Sequence, residues 1–116
     1  MTLKTMPNEL PRVPLWVENT IALPKCCPVS GNPQAGSRVR IRYRPAEAVL
    51  EVYSLKGYIA EYVGGHENGI RSMEAMIQRI ALDCAEVLGV PVVVLADLVL
   101  HPHQEMRVRV KALPPA

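Results

Sequence analysis

Phenylalanine is absent, and the aromatic complement is one tryptophan and four tyrosines, 4% of the chain. Surfaces that stack single-stranded bases need interleaved aromatics, so this scarcity weighs against RNA binding. Cysteine is scarce and odd in number: with three, at least one stays unpaired in any intrachain scheme. That differs from the even framework of a small secreted disulfide scaffold and fits a reducing compartment. No apolar run approaches the about 20 residues that span a bilayer. Residues 1–14 carry prolines and a glutamate where a secretory signal needs an apolar stretch. Charge of one sign is not in excess either: thirteen basic and eleven acidic side chains leave +2, too little to imply a polyanionic partner. The remainder, 116 residues of which 49% are hydrophobic and 21% charged, suffices for one domain around one core. A cytoplasmic location with no membrane contact is expected.

Proline is plentiful but lopsided. Six of the eleven (Pro7, Pro11, Pro14, Pro24, Pro28, Pro33) precede residue 34. Each removes a backbone donor, so the first third excludes a long helix or a central strand. Leu15, Trp16, Val17, Ile21 and Leu23 predict an ordered, extended arm over 1–24 that packs against a single domain over 25–113.

From residue 37 the periodicity is explicit. Strict alternation over 37–44 places Val39, Ile41 and Tyr43 on one face of a strand and Arg38, Arg40, Arg42 and Arg44 on the other. After Pro45-Ala46, the residues Ala48, Leu50 and Val52 predict a second strand opposite Glu47, Val49 and Glu51. A short helix is expected over 54–63, closed by Gly64-Gly65, followed by the polar turn His66-Glu67-Asn68-Gly69. Ile70, Met73, Ile77, Ile80, Ala81, Cys84, Val87 and Leu88 recur at helical spacing and are stopped by Gly89 and Pro91. That stripe assigns Cys84 to the core. A third strand is expected over 92–100 and a fourth over 104–112, joined by His101-Pro102-His103.

The expected fold is α+β, a four-stranded antiparallel sheet in β-β-α-α-β-β order with both helices on one face. The other face would carry Arg38, Arg40, Arg42, Arg44, Arg107, Arg109 and Lys111, offset by Glu47, Glu51 and Asp97 across the strands. It reads as a solvated sheet surface, as the lining of an oligomeric tunnel, or, less well because Tyr43 points away, as an RNA surface. With 37–44 and 104–112 as proline-free edges, the sheet is predicted to close edge to edge with other copies into a ring.

Reactive chemistry is expected at Lys25-Cys26-Cys27-Pro28-Val29-Ser30-Gly31-Asn32-Pro33. A cysteine in a loop punctuated by proline and glycine is exposed and geometrically fixed, and Lys25 is placed to lower its pKa. Thiolate attack on an electrophilic carbon is the functional reading; two incidental loop thiols are the plain one. No metal is expected. Cys26 and Cys27 are adjacent, without the spacing that closes a zinc tetrahedron, and His101 and His103 lack a third ligand.

Cys27-Pro28-Val29-Ser30-Gly31-Asn32-Pro33 resembles the C-P-x-[ST]-G-x-P loop of the 7-cyano-7-deazaguanine reductases (QueF). The run 51–58 is similar to that family's E-S-K-S-L-K-x-Y signature, keeping Glu51, Ser54, Leu55, Lys56 and Tyr58. Over 73–88 the chain aligns with the family's long helix, and Glu74 falls on the glutamate that holds the base. The resemblance, over residues 24–112, implies the tunnelling fold (T-fold) shared with GTP cyclohydrolase I, whose subunits assemble into a ring-shaped barrel. It implies that Cys27 forms a thioimide with the nitrile of 7-cyano-7-deazaguanine, and that Glu74, Ser54 and Lys56 bind the substrate. NADPH, touched by Lys56, would reduce the adduct to 7-aminomethyl-7-deazaguanine, a precursor of the tRNA nucleoside queuosine.

The departures fall on hydride and proton transfer. Gln34 stands at the family's acid position, Met73 at a common histidine, Tyr53 at the first lysine, and His101-Pro102-His103-Gln104 replaces an R-G-G turn. An amide cannot be a general acid near neutral pH. Three outcomes follow from the resemblance. Displaced groups substitute, with His66 and Glu67 as a proton-donating pair where an ordinary solvated turn is the plain reading. Alternatively the thioimide forms without reduction, as in archaeal relatives that make an amidine on tRNA. In the third case the chain is a non-catalytic purine-binding subunit.

Overall fold

The computed structural model describes residues 2–116. In chain order the elements are β1 (Thr5–Pro7), β2 (Val17–Ala22), β3 (Arg38–Tyr43), β4 (Ala48–Leu50), α1 (Val52–Ala60), α2 (Met73–Leu88), β5 (Val92–Leu100) and β6 (Gln104–Ala112). The fold is α+β with antiparallel pairing throughout. Two strands thus precede those read from the periodicity. The main sheet runs β2-β3-β5-β6, and β4 lies outside it, paired with β1 in a two-stranded ribbon.

The physical reasons are local. After β3 the chain turns at Pro45, which has no N–H to continue a ladder. The Glu51 carboxylate then accepts hydrogen bonds from the Tyr53 and Ser54 N–H groups, capping α1 at once. Val52 is therefore helical rather than the end of a strand, and the helix begins and ends earlier than the spacing over 54–63 predicts. The short β4 is held instead by Tyr43, whose hydroxyl accepts the Leu50 N–H at 2.9 Å, and by the arm strand β1. The vacancy beside β3 goes to β2, where Val17, Asn19 and Ile21 alternate inward between Pro14 and Pro24. As a result β3 is an interior strand, and the sheet edges are β2 and β6.

Helix α2 starts at Met73, leaving Ile70 in the preceding segment. The Ser72 hydroxyl accepts the Ala75 N–H at 3.0 Å, and Gly89, at φ 69°, closes the C-terminal end in the left-handed region. The apolar stripe packs Ile77, Ile80, Ala81 and Cys84 into one core with Val39, Ile41, Val92, Val94 and Ala96. Burying each large aliphatic side chain there contributes about 1.5–3 kcal/mol. Cys84 is a core residue as expected, and burial pushes its thiol up to about 12. Of the arm's apolar residues Leu23 is buried, while Trp16 remains 75% exposed with the Arg44 guanidinium 5.6 Å from its ring centre.

The register confirms the basic face: Arg38 and Arg107 flank Asp97, Arg40 and Arg109 flank Leu95, and Arg42 and Lys111 flank Val93. Its compensation differs from expectation. Asp97 meets Arg40 at 3.2 Å and Arg107 at 2.9 Å, and the Arg107 hydrogen bond holds its carboxyl below the usual carboxylate range. Glu47 and Glu51 do not serve, since β4 left the sheet; Glu18 of β2 pairs with Arg42 at 2.9 Å in their place.

A polar tie joins the helices. The buried Tyr58 hydroxyl donates to Asp83 at 2.6 Å, and Arg79 donates to the other carboxylate oxygen at 3.1 Å. Burial, then Asp83, pushes the Tyr58 phenol well above its ordinary value. Tyr58→Phe keeps the ring's edge contact with Tyr62 and removes only this bond. It should lower stability by about 1–2 kcal/mol, read as a lower urea midpoint at unchanged slope. An unchanged midpoint would show the bond to be dispensable.

Candidate functional site

The segment between β2 and β3 folds back on itself. The Cys26 and Cys27 N–H groups both donate to the Asn32 carbonyl, at 2.9 and 3.0 Å, and the Gly31 N–H donates to the Cys27 carbonyl at 2.8 Å. Gly31 sits at φ 70°, where a side chain would be strained and its Cβ would come 3.4 Å from Gln34 Nε2. Two clasps fix this loop to the rest of the fold. The Asn32 amide donates to the His101 carbonyl at 2.9 Å and accepts the His101 N–H at 2.7 Å, so it is bound at both ends to the β5–β6 turn. On the opposite side, the Gly64 N–H donates to the Cys26 carbonyl at 2.8 Å.

This closure sends the adjacent thiols in different directions. Cys26 is 7% exposed; its thiol donates to the Pro24 carbonyl at 3.3 Å and lies 3.9 Å from Met76 Sδ. Burial raises its pKa. Cys27 is partly exposed, and its sulfur accepts the Ser30 N–H at 3.4 Å. The Ser30 oxygen accepts the Asn32 N–H at 3.2 Å, which leaves its own proton free for the sulfur. Ser30 is the leading cause of a lowered Cys27 pKa, through its hydroxyl and then its backbone, with the Arg71 charge adding a smaller share. The cation acting on this thiol is therefore Arg71, where sequence spacing pointed to Lys25.

Cys27 opens on a cavity of about 480 Å³. One wall is Pro28 and Val29; another is Tyr62, Gly64, Gly65 and His66 from the segment after α1; the floor is Ile70, Met73 and Met76. Arg71 also lines it. His66 is held in place: its ring centre is 4.6 Å from that of Tyr62, its Nδ1 accepts the Asn68 N–H at 3.0 Å, and its Nε2 is 3.7 Å from a Glu61 carboxylate oxygen. Of the expected pair, His66 reaches the cavity and Glu67 stays in solvent, with Glu61 as the neighbouring carboxylate.

The other sequence-predicted residues are dispersed over the chain. Gln34 sits behind the loop, where its amide donates to the Gly31 carbonyl at 2.9 Å and to Asn32 Oδ1 at 3.2 Å. Glu74 is exposed in the first turn of α2, one residue from the cavity-lining Met73. The Ser54 hydroxyl accepts the Lys4 N–H at 2.9 Å and donates to the Glu51 carbonyl at 2.9 Å. Lys56 lines a separate groove of about 340 Å³ with Asn19, Ile21 and Leu55. Asn19 Oδ1 is buried there and has no hydrogen-bond partner among the described residues.

Arg71, Tyr62 and Ser30 escaped the sequence reading. Ser30 stood inside the quoted loop, but nothing in its spacing marks a hydroxyl bound to sulfur. Arg71 and Tyr62 lie just outside α2 and α1, within the spans that periodicity predicts as helix.

No protein-family model matches the chain. The NADPH-dependent 7-cyano-7-deazaguanine reductase of Anaeromyxobacter sp. (strain Fw109-5) is 34% identical to it over 92 residues, 75% of this chain and 75% of that one.

Removing the Ser30 hydroxyl should return Cys27 toward an ordinary thiol. In Ser30→Ala the pH at which Cys27 reacts with iodoacetamide should rise, and the rate near neutrality should fall about threefold, the worth of one hydrogen bond to sulfur. A profile identical to the parent's would remove Ser30 from the site.

Proposed function

The chain belongs to the 7-cyano-7-deazaguanine reductase family, and from that premise we propose that it binds 7-cyano-7-deazaguanine at Cys27 and converts its nitrile to an aminomethyl group. The observation that carries this reading is the contrast between neighbouring thiols: Cys26 is buried and raised in pKa, whereas Cys27 is lowered and faces a largely apolar cavity. The Cys27 thiolate attacks the nitrile carbon. A C–S bond forms, one π bond of the triple bond breaks, and the nitrogen takes up a proton to give a thioimide. Ser30 supports the thiolate, while Tyr62, Ile70, Met73 and Met76 exclude water from the adduct. Glu74, beside the cavity rim, accepts hydrogen bonds from the base's ring N–H and amine.

The groove holding Lys56 and the unpartnered Asn19 oxygen offers a cation and a buried acceptor. These suit the phosphate and ribose of NADPH, which supplies hydride when bound. Ser54 and Lys56 lie away from Cys27 in one subunit, so completion of the site falls to a neighbouring copy. The free edges β2 and β6 support that arrangement. Pairing them between copies closes the sheets into a tunnelling-fold ring, helices outside and the arginine face inward, and removes both edges. The setting is cytoplasmic queuosine synthesis.

Intact mass after incubation with 7-cyano-7-deazaguanine tests the chemistry. An adduct should form without NADPH and be consumed with it; Cys27→Ala should abolish it and Cys26→Ala should retain most of it. An adduct that persists with NADPH would mean thioimide chemistry without reduction, the reading favoured by Gln34, whose amide is committed to the loop and offers no acid. No adduct would leave a purine-binding subunit. For assembly, light scattering at micromolar concentration should give a multiple of 12.8 kDa. A monomer of that mass that still forms the adduct would contradict the ring.

A further inference from the structure

We propose that His66 donates the proton taken up by the nitrile nitrogen as Cys27 adds to the nitrile carbon, an inference that rests on the thioimide reading above. Addition to a nitrile leaves an electron pair on nitrogen, and the step stalls unless a proton arrives there. The acid expected from the resemblance is absent, and the Gln34 amide that stands in its place is turned onto Gly31 and Asn32. The donor must come from the cavity wall.

Few wall residues carry an exchangeable proton. Cys26 is turned inward onto Pro24. The Tyr62 hydroxyl is buried away from the cavity surface. Arg71 keeps its proton at any relevant pH. His66 is the wall residue of the type that changes charge near neutrality.

Its setting suits donation. The Asn68 N–H pointing at Nδ1 places the neutral ring's proton on Nε2, and Nε2 also bears a proton in the imidazolium. At 3.7 Å the Glu61 oxygen is too far to hold that proton in a hydrogen bond, which leaves it free for a substrate. Cys26, Cys27, Tyr62 and Arg71 are the other titratable groups that line the cavity. The Tyr62 face fixes the ring plane.

The step balances. The thiolate forms the C–S bond, one C≡N π bond breaks, and its electron pair takes the Nε2 proton to give C=NH. The ring is left neutral with its remaining proton on Nδ1; solvent returns a proton to Nε2 and the Nδ1 proton leaves, which restores the bond from the Asn68 N–H. In sum, one thiol has added across one triple bond.

The test uses the full chain without NADPH, following adduct formation with 7-cyano-7-deazaguanine by intact mass from about pH 5.5 to 9. Cys27 alkylation by iodoacetamide, which needs no proton from the protein, runs in parallel. His66→Gln should form the adduct about a hundredfold more slowly, with the alkaline fall in rate abolished, and be alkylated at the parent rate. Adduct formation at the parent rate and with the parent pH profile would overturn the inference while leaving the thioimide reading intact. If the parent forms no adduct, the reading fails and the inference with it. Should His66→Gln lose alkylation as well through misfolding, His66→Asn is read in the same two assays. Slowed adduct formation with the alkaline fall gone and alkylation at the parent rate supports the inference, and adduct formation at the parent rate overturns it.

Discussion

The site depends on one side chain, Asn32, being bound at both ends of its amide. Its oxygen and nitrogen engage the two backbone groups of His101, so the loop carrying Cys27 cannot rotate against the sheet without breaking both bonds. The same residue's carbonyl receives the two cysteine N–H groups, which sets the chain direction through the thiols. The inward turn of Cys26, the outward turn of Cys27 and the approach of Ser30 to sulfur all follow from that closure. Because each bond is made to backbone, the geometry relies on main-chain positions that the strands already fix.

The basic face shows a comparable economy. Two carboxylates, Asp97 and Glu18, sit among the arginines of β3 and β6. Arg42–Glu18 is solvent-exposed and contributes little to stability, while Asp97, half-buried, is shared between Arg40 and Arg107. Their arrangement leaves a net positive face opposite the helices, available to line an enclosed space or to remain solvated.

Much of this was legible from residues alone, and the gaps have physical causes. Continuous or strictly periodic segments were read most closely: β5 and β6 have the expected bounds, Val92–Leu100 and Gln104–Ala112, whereas α2 ends at Leu88 as expected but begins at Met73, past the start of the stripe at Ile70. Alternation identifies the face of a strand but not its neighbour, because pairing partners are chosen through space. Hence β4 was placed beside β3, where β2 lies. The pattern of β2 was masked by prolines at both ends and by Asn19 at an inward position. At the candidate site, the exposure of Cys27 was legible because its loop is built from residues with restricted backbones. Arg71 was missed because Ser72, which starts α2 by capping it, lies inside what looked like one apolar stripe. Glu61, the carboxylate beside His66, was concealed in the same way, inside a helix drawn too long.

The strand order also bears on the sequence of events during synthesis. Strands β2 and β3 are adjacent in both chain and sheet, so the hairpin bearing Cys27 between them can pair soon after it emerges. The partners of its loop emerge later: Gly64 follows α1, and His101 follows most of the chain. A nascent chain therefore exposes two neighbouring thiols with nothing yet to distinguish them. Their separation into one buried and one partly exposed sulfur is completed only when the β5–β6 turn reaches Asn32.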